Sequence, residues 1–264
     1  MDTMSNVHEQ KRNKLFVVLA ALFLTNAIIA ELIGVKIFSG EQALGLQPAN
    51  LNIFGFVMDF NLTAGAVIWP VVFITSDLIN EYFGKPGVKR ISYLAAFFIG
   101  YSFLVIYLTM NLPPAQWWME ANNTDNAGHY FNMDFAFNKI LGQGQRIIVA
   151  SLAAFLIGQL IDVFVFQKLR QLTGSGKLWL RATGSTLVSQ FIDSFVVLYL
   201  AFSGIFSGDQ ILAIGITNYL YKFSVAILLT PLIYAGHYVI DRYLGKENAA
   251  QLSEESASKS SSFF

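Results

Sequence analysis

Trp69-Pro70-Val71-Val72-Phe73-Ile74-Thr75-Ser76-Asp77-Leu78-Ile79-Asn80-Glu81-Tyr82-Phe83 is the stretch that decides the fold. With the apolar residues from Leu62 onward it is long enough to cross the ~30 Å hydrocarbon layer, which takes roughly 20 mostly apolar residues in a helix. Yet it carries two acids and an amide. A charge at the bilayer centre costs about 2.5–3.5 kcal/mol on insertion scales, so such groups face a bundle interior or a wet cavity rather than lipid. Asp77 and Asn80 are three apart, and Asp77 and Glu81 four apart, which puts all three on one helix face. The stretch therefore reads as a membrane helix with a polar face turned inward.

Five further runs have the length and apolarity to span. The full set is Leu15–Ile37, Leu62–Phe83, Ile91–Met110, Arg146–Gln167, Leu180–Phe202 and Ile211–Tyr238. Composition agrees: of 264 residues 55% are apolar and only 13% charged, with no Cys and a mean hydropathy of +0.52. A soluble domain could hardly solvate such a surface. Disordered chains, disulfide scaffolds, Cys-ligated metal sites and basic nucleic-acid binders are excluded. Lys and Arg concentrate before the first span, in the loop at Lys85–Arg90, in the segment at Lys168–Arg181 and after the last span, and they are scarce in the loops between. The positive-inside rule then gives six spans with both termini cytoplasmic.

The expected organisation is an all-α membrane protein. Residues 1–14 form a cytoplasmic segment, 15–240 a six-helix transmembrane domain and 241–264 a cytoplasmic, Ser-rich disordered tail. The first apolar run exceeds the core of a signal peptide and is read as a span. Between the first two spans, Asn52–Asn61 alternates loosely, as a short hairpin would. In the segment Asn111–Gln145, Trp117-Trp118 follows Pro113-Pro114 and is read as an interfacial belt, with a lid as the alternative. Small residues at Ala64-Gly65-Ala66 and Gly100 suit packing within one bundle or between two copies of a homodimer.

Three spans share a pattern: Ser76-Asp77-Leu78-Ile79-Asn80, Gly158-Gln159-Leu160-Ile161-Asp162 and Ser189-Gln190-Phe191-Ile192-Asp193. Each places two polar groups three apart on one face. The second and fifth spans are the middle members of two three-span halves and run in opposite directions, as a 3+3 inverted repeat requires. The central acids are thus Asp77, Asp162 and Asp193, with Gln159, Gln190 and Asn80 as amide partners. Three uses stay open: binding an N–H-rich or cationic substrate, carrying a proton, or structural pairing. Glu81 assists, gates, or pairs with the basic loop beyond it. Lys222, too deep to snorkel, is the candidate countercharge of one acid. Glu31 and Lys36 are expected to snorkel to the interface.

Other motifs fail. Gly174-Ser175-Gly176-Lys177 lacks the first Gly of a phosphate loop, and Leu178 replaces the Ser/Thr that would hold magnesium. The three His are scattered, so no metal site is expected. No cofactor is implied, and an enzyme is disfavoured.

The second-span stretch from Leu62-Thr63-Ala64-Gly65 through Trp69-Pro70 to Gly84-Lys85 resembles the signature of the queuosine precursor transporter family, also called the vitamin uptake transporter family. Arg146 with Ser151 and Gln159-x-x-Asp162 fits too, as do Leu178-Trp179-Leu180-Arg181 with Ser185-Thr186 and Gln190-x-x-Asp193, and the Pro113-Pro114 loop. The likeness covers about residues 15–240. Trp69 and Tyr82-Phe83 depart from the commoner Tyr and Val-Tyr but keep an aromatic nearby. The resemblance implies import of 7-deazaguanines such as 7-cyano-7-deazaguanine. A carboxylate can accept adjacent N–H donors of such a base while an amide donates to its carbonyl. Trp69, Phe73, Phe191 and Tyr219 would supply aromatic faces, and Arg146 and Arg181 stand at helix mouths. The implied partners are a nucleobase-like small molecule and the lipid bilayer, not nucleic acid. Rival readings are the substrate-binding subunit of an ATP-driven vitamin importer and, further off, an intramembrane enzyme.

Overall fold

A computed structural model describes residues 2–142, 145–174 and 176–261. In chain order it contains α1 (Asp2–Ile33), β1 (Ile37–Ser39), α2 (Gly40–Ala43), β2 (Leu51–Ile53), β3 (Phe56–Met58) and β4 (Asn61–Thr63). A 3-10 turn (Ala64–Val67) leads into α3 (Trp69–Met110), followed by α4 (Gln116–Ala121), α5 (Met133–Leu141), α6 (Gln145–Thr173), α7 (Leu178–Phe202), α8 (Gly208–Leu244) and α9 (Lys246–Ser261). Among the described residues five helices are long and apolar enough to cross a membrane: those at Val7–Ile33, Trp69–Met110, Ile147–Thr173, Leu178–Phe202 and Gly208–Leu244. The architecture is an all-α, multi-pass bundle.

Helix α3 has 42 residues, about 63 Å at 1.5 Å per residue, twice the hydrocarbon thickness. It is not continuous: Gly84 sits at φ 64°, ψ −170°, a region open essentially to glycine alone. Pro86, two residues on, lacks an N–H and removes the bond that Tyr82 C=O would accept. The first arm, Trp69 to Phe83, carries the polar face. The second is apolar and packs Ile91, Ala95, Ile99 and Phe103 into the core with Phe23 and Ala27 of α1.

The bundle is turned inside out relative to a soluble domain. Asp77, Asn80, Glu81, Gln159, Asp162 and Gln190 are buried, while Val17, Phe97, Leu104, Leu228 and Val239 are exposed. Hydrocarbon rewards the second set and penalises the first. Helix α1 packs on α3, α6 on α7 and α3, and α7 on α8. Close crossings use small residues: a Cβ on Gly215 would lie 2.5 Å from the Phe195 ring, and one on Gly65 only 2.4 Å from Ala30 O.

Both ends of the chain meet at one end of the bundle, here the terminal end. Lys11 Nζ donates to Tyr243 O at 3.3 Å, and Arg12 lies 4.0 Å from Glu255. Tyr82 joins α3 to α8 there, donating to Asp241 Oδ1 at 2.7 Å.

Several expectations need correction. The first span stops at Ile33, because Ile37–Ser39 leaves the helix to pair antiparallel with Asn61–Thr63. The second helix starts at Trp69 rather than Leu62, since Leu62 lies in β4. The segment between holds a β2–β3 hairpin whose tip, Phe54-Gly55, has positive φ at both residues. Buried Glu41 ties this segment together, accepting from the N–H of Phe60 at 2.8 Å and of Ala49 at 3.3 Å. The tail expected to be disordered is instead helix α9, with Ala249, Leu252 and Ser256 buried at helical spacing. Residues 262–264 lie outside the described set. On α4, Trp117 is 72% exposed, which suits a belt better than a lid.

Candidate functional site

The first arm of α3 brings Asp77 into the bundle against α6 and α7. It is fully enclosed, and its Oδ1 has no hydrogen-bond partner among the described residues. The carboxyl groups of Asp162 and, one turn along its own helix, Glu81 act on it electrostatically. Asp162, on α6, accepts from Ser189 Oγ of α7 at 3.2 Å, and Ser185 and Thr186 also turn hydroxyls to it. Ser76 donates to Gln159 Oε1 at 3.0 Å. These contacts form a central polar layer on three helices: Ser76 and Asp77, Gln159 and Asp162, and the α7 hydroxyls.

A buried polar atom without a partner costs of order 1–3 kcal/mol. Among the described residues three candidates carry one: Asp77 Oδ1, Asn80 Nδ2 and Gln190 Oε1. Asn80 is half engaged, its Oδ1 held by Gln167 Nε2 at 2.6 Å, which leaves the donor side open. Two acceptors and one donor thus lie buried and unused.

The remaining candidates fall outside this layer. Glu81 is taken by Arg181, which donates from Nε to Oε2 at 3.0 Å and from Nη2 to Oε1 at 2.8 Å. It does not pair with the loop just beyond it in sequence. Arg181 is therefore a buried ion-pair partner. Its Nη1 also donates to Gly174 O and Gly176 O, so the glycine turn of the failed phosphate loop is held as a helix lead-in. Ser175 of that turn and the Arg146 side chain lie outside the described residues.

Asp193 stands one helical turn from Ser189, toward the far end, and pairs with Lys222 of α8. A Cβ on Gly158 would sit 3.5 Å from Asp193 Cβ, which explains the glycine at that α6–α7 crossing. Glu31 does not snorkel: both its oxygens accept from Ser151 Oγ, at 2.7 and 2.8 Å. Lys36 is exposed.

The aromatic candidates split. Trp69 and Phe73 stack at 5.8 Å and 18°, with Phe155 of α6 a further 5.8 Å from Trp69. Phe73 also lines the small cavity beside Asp77, with Ile74, Thr183, Thr186 and Ile233. Phe191 is 49% exposed and packs on Phe195 and Tyr219, away from that cavity.

The space beside Asp77 is nearly shut. The cavity beside Asp77 measures about 10 Å³, room for roughly one water-sized sphere, whereas ligand clefts run to about 300–1,000 Å³. A wider apolar groove of about 750 Å³ opens between α7 and α8, lined by Trp179, Thr183, Ile227, Thr230, Pro231 and Tyr234. Thr183 borders both spaces, and its hydroxyl meets Thr230 Oγ1 at 2.9 Å.

The sequence reading passed over Arg170, Gln167, Ser253 and Ser256. By sequence Arg170 belongs to the basic segment at Lys168–Arg181, but α6 runs on to Thr173 and carries it inside. Its spacing of three from Gln167 was the available signal.

Residues 63–236 match the family described as putative vitamin uptake transporter. The chain is 33% identical over 225 residues to the probable queuosine precursor transporter of Bacillus subtilis (strain 168), covering 81% of this chain and 93% of that protein. It is 29% identical over 175 residues to the queuosine precursor transporter of Escherichia coli (strain K12), covering 65% and 71%. A probable queuosine precursor transporter from Haemophilus influenzae is 28% identical over 187 residues. No solved structure matches the chain.

Proposed function

The chain belongs to the putative vitamin uptake transporter family, and on that premise we propose that it imports queuosine precursors of the 7-deazaguanine class across the cell inner membrane. It is a transporter rather than an enzyme. The observation that carries the site is the unpartnered Oδ1 of Asp77, buried between acids and hydroxyls inside a membrane bundle. A deazaguanine offers adjacent N–H donors, which that carboxylate accepts. The free Asn80 Nδ2 and Gln190 Oε1 are the complementary donor and further acceptor. Phe73, stacked on Trp69, supplies the aromatic face nearest the acid.

The break at Gly84 supports counting α3 as two spans, which gives six in all with the terminal end in the cytoplasm. A cavity this small is closed, so substrate enters and leaves by alternating access. The first arm of α3 moves against α6 and α7 about the Gly84 joint.

Binding of 7-cyano-7-deazaguanine to the purified protein tests the reading. Asp77→Asn is expected to weaken binding at least tenfold, about 1.4 kcal/mol, without loss of fold. Absence of binding by folded wild type rejects the substrate, and unchanged binding by Asp77→Asn rejects the site.

A further inference from the structure

We propose that α9 is the inner gate of the transport path, a strap of the chain's own C-terminal segment latched by Ser253 and Ser256 onto the Glu81–Arg170–Arg181 cluster. The inference rests on the transport reading for its path, but its structural basis is independent of the substrate.

Glu81 lies one turn from Asp77 on the same helix face, toward the terminal end. Beyond Asn80 and its partner Gln167 it is the next polar group toward the terminal end. Its carboxylate is saturated: Arg181 holds both oxygens, Ser253 Oγ donates to Oε1 at 2.9 Å, and Arg170 stands 3.6 Å away. The side chains of Glu81, Arg170 and Arg181 are 3%, 5% and 1% exposed. Near the break at Gly84 the helical ladder is interrupted, and the Glu81 carbonyl accepts from Arg170 Nη1 at 2.9 Å and Ser256 Oγ at 2.7 Å. Arg170 Nη1 also donates to Ser256 Oγ at 3.0 Å, and its Nη2 to Ser253. Glu254 adds a second negative charge acting on Arg170. The two serines thus close a ring of charges from the terminal side.

The latch is built to release. Apart from Ala249 and Leu252, which enter the core, α9 is made of Lys, Glu, Asn, Gln, Ala and Ser, so its dock depends on polar contacts that water can replace. Once α9 lifts, water reaches the cluster, the ion pairs weaken with the rising dielectric, and the arm of α3 is free to turn at Gly84.

The absence of Cys makes access measurable. Ser185→Cys places a thiol at a fully buried position in the central layer. Its labelling by a membrane-impermeant maleimide from the cytoplasmic side, without substrate, is compared in three full-length backgrounds: otherwise wild type, Ser253→Ala with Ser256→Ala, and Leu252→Lys. The last undocks α9 without touching the latch. Both altered backgrounds are expected to label at least tenfold faster, with unfolding midpoints showing that the bundle persists. Rates within threefold of wild type in both overturn the gate. Because no substrate is present, failure here leaves the 7-deazaguanine assignment standing, and failure to bind 7-deazaguanine leaves the gate standing.

Discussion

Asp77 and Glu81 differ by one helical turn and have opposite fates. Among the described residues Asp77 keeps an oxygen unpaired in the bundle interior, while every oxygen of Glu81 is engaged. Sequence alone ties the two together, because a helix face gives direction but not depth or partner. The partner of Glu81 comes from Arg181, a hundred residues on. Removing one member of such a pair leaves a buried charge uncompensated, at roughly 3–5 kcal/mol. Arg181→Met is therefore expected to lower unfolding stability in detergent by about that amount. Adding Glu81→Gln should recover part of the loss, because no bare carboxylate remains. Equal loss in the single and double variants would show that Arg181 contributes packing rather than charge. Asp193 shows the same limit of face arguments. It shares the pattern of Asp77, yet one more turn along α7 places it opposite Lys222 instead of in the central layer.

At the scale of elements, hydropathy foretells the long helices because burial in hydrocarbon selects for it directly. It says little where tertiary partners decide. Helix α9 is polar enough to read as disordered, and its order comes from Ala249, Leu252 and two serines meeting α3 and α6. The segment between α1 and α3 is similar: its short strands are organised by one acid. Glu41 is held below the usual glutamate value of 4.5, first by the Phe60 N–H it accepts. A depressed folded-state pKa contributes stability above the unfolded value and loses it as pH falls through the folded one. Hydrogen exchange at Phe60 and Ala49 is thus expected to show protection at pH 7 that is lost as the pH falls through the folded-state value, below 4.5, and Glu41→Gln should remove the pH dependence. Unchanged protection at low pH would mean the strands hold without the acid.

For the whole molecule, alternating charge in the loops and the glycine joint in α3 are the two grounds for the proposed six-span layout. Reporters fused ahead of α1 and after α9 are both expected to read cytoplasmic, and readings on opposite sides would refute the six-span count. Fold class was legible because membrane solvation acts residue by residue. The closed cavity was not, because its size depends on how three helices approach. One contact also carries a temporal consequence: Ser253 is separated from Glu81 by 172 residues. At about 5–20 residues per second of synthesis, the carboxylate waits roughly 10–30 s for its last ligand. A nascent chain therefore inserts with that corner unfinished, and biogenesis must shelter an acid whose coordination completes only after every membrane helix has been translated.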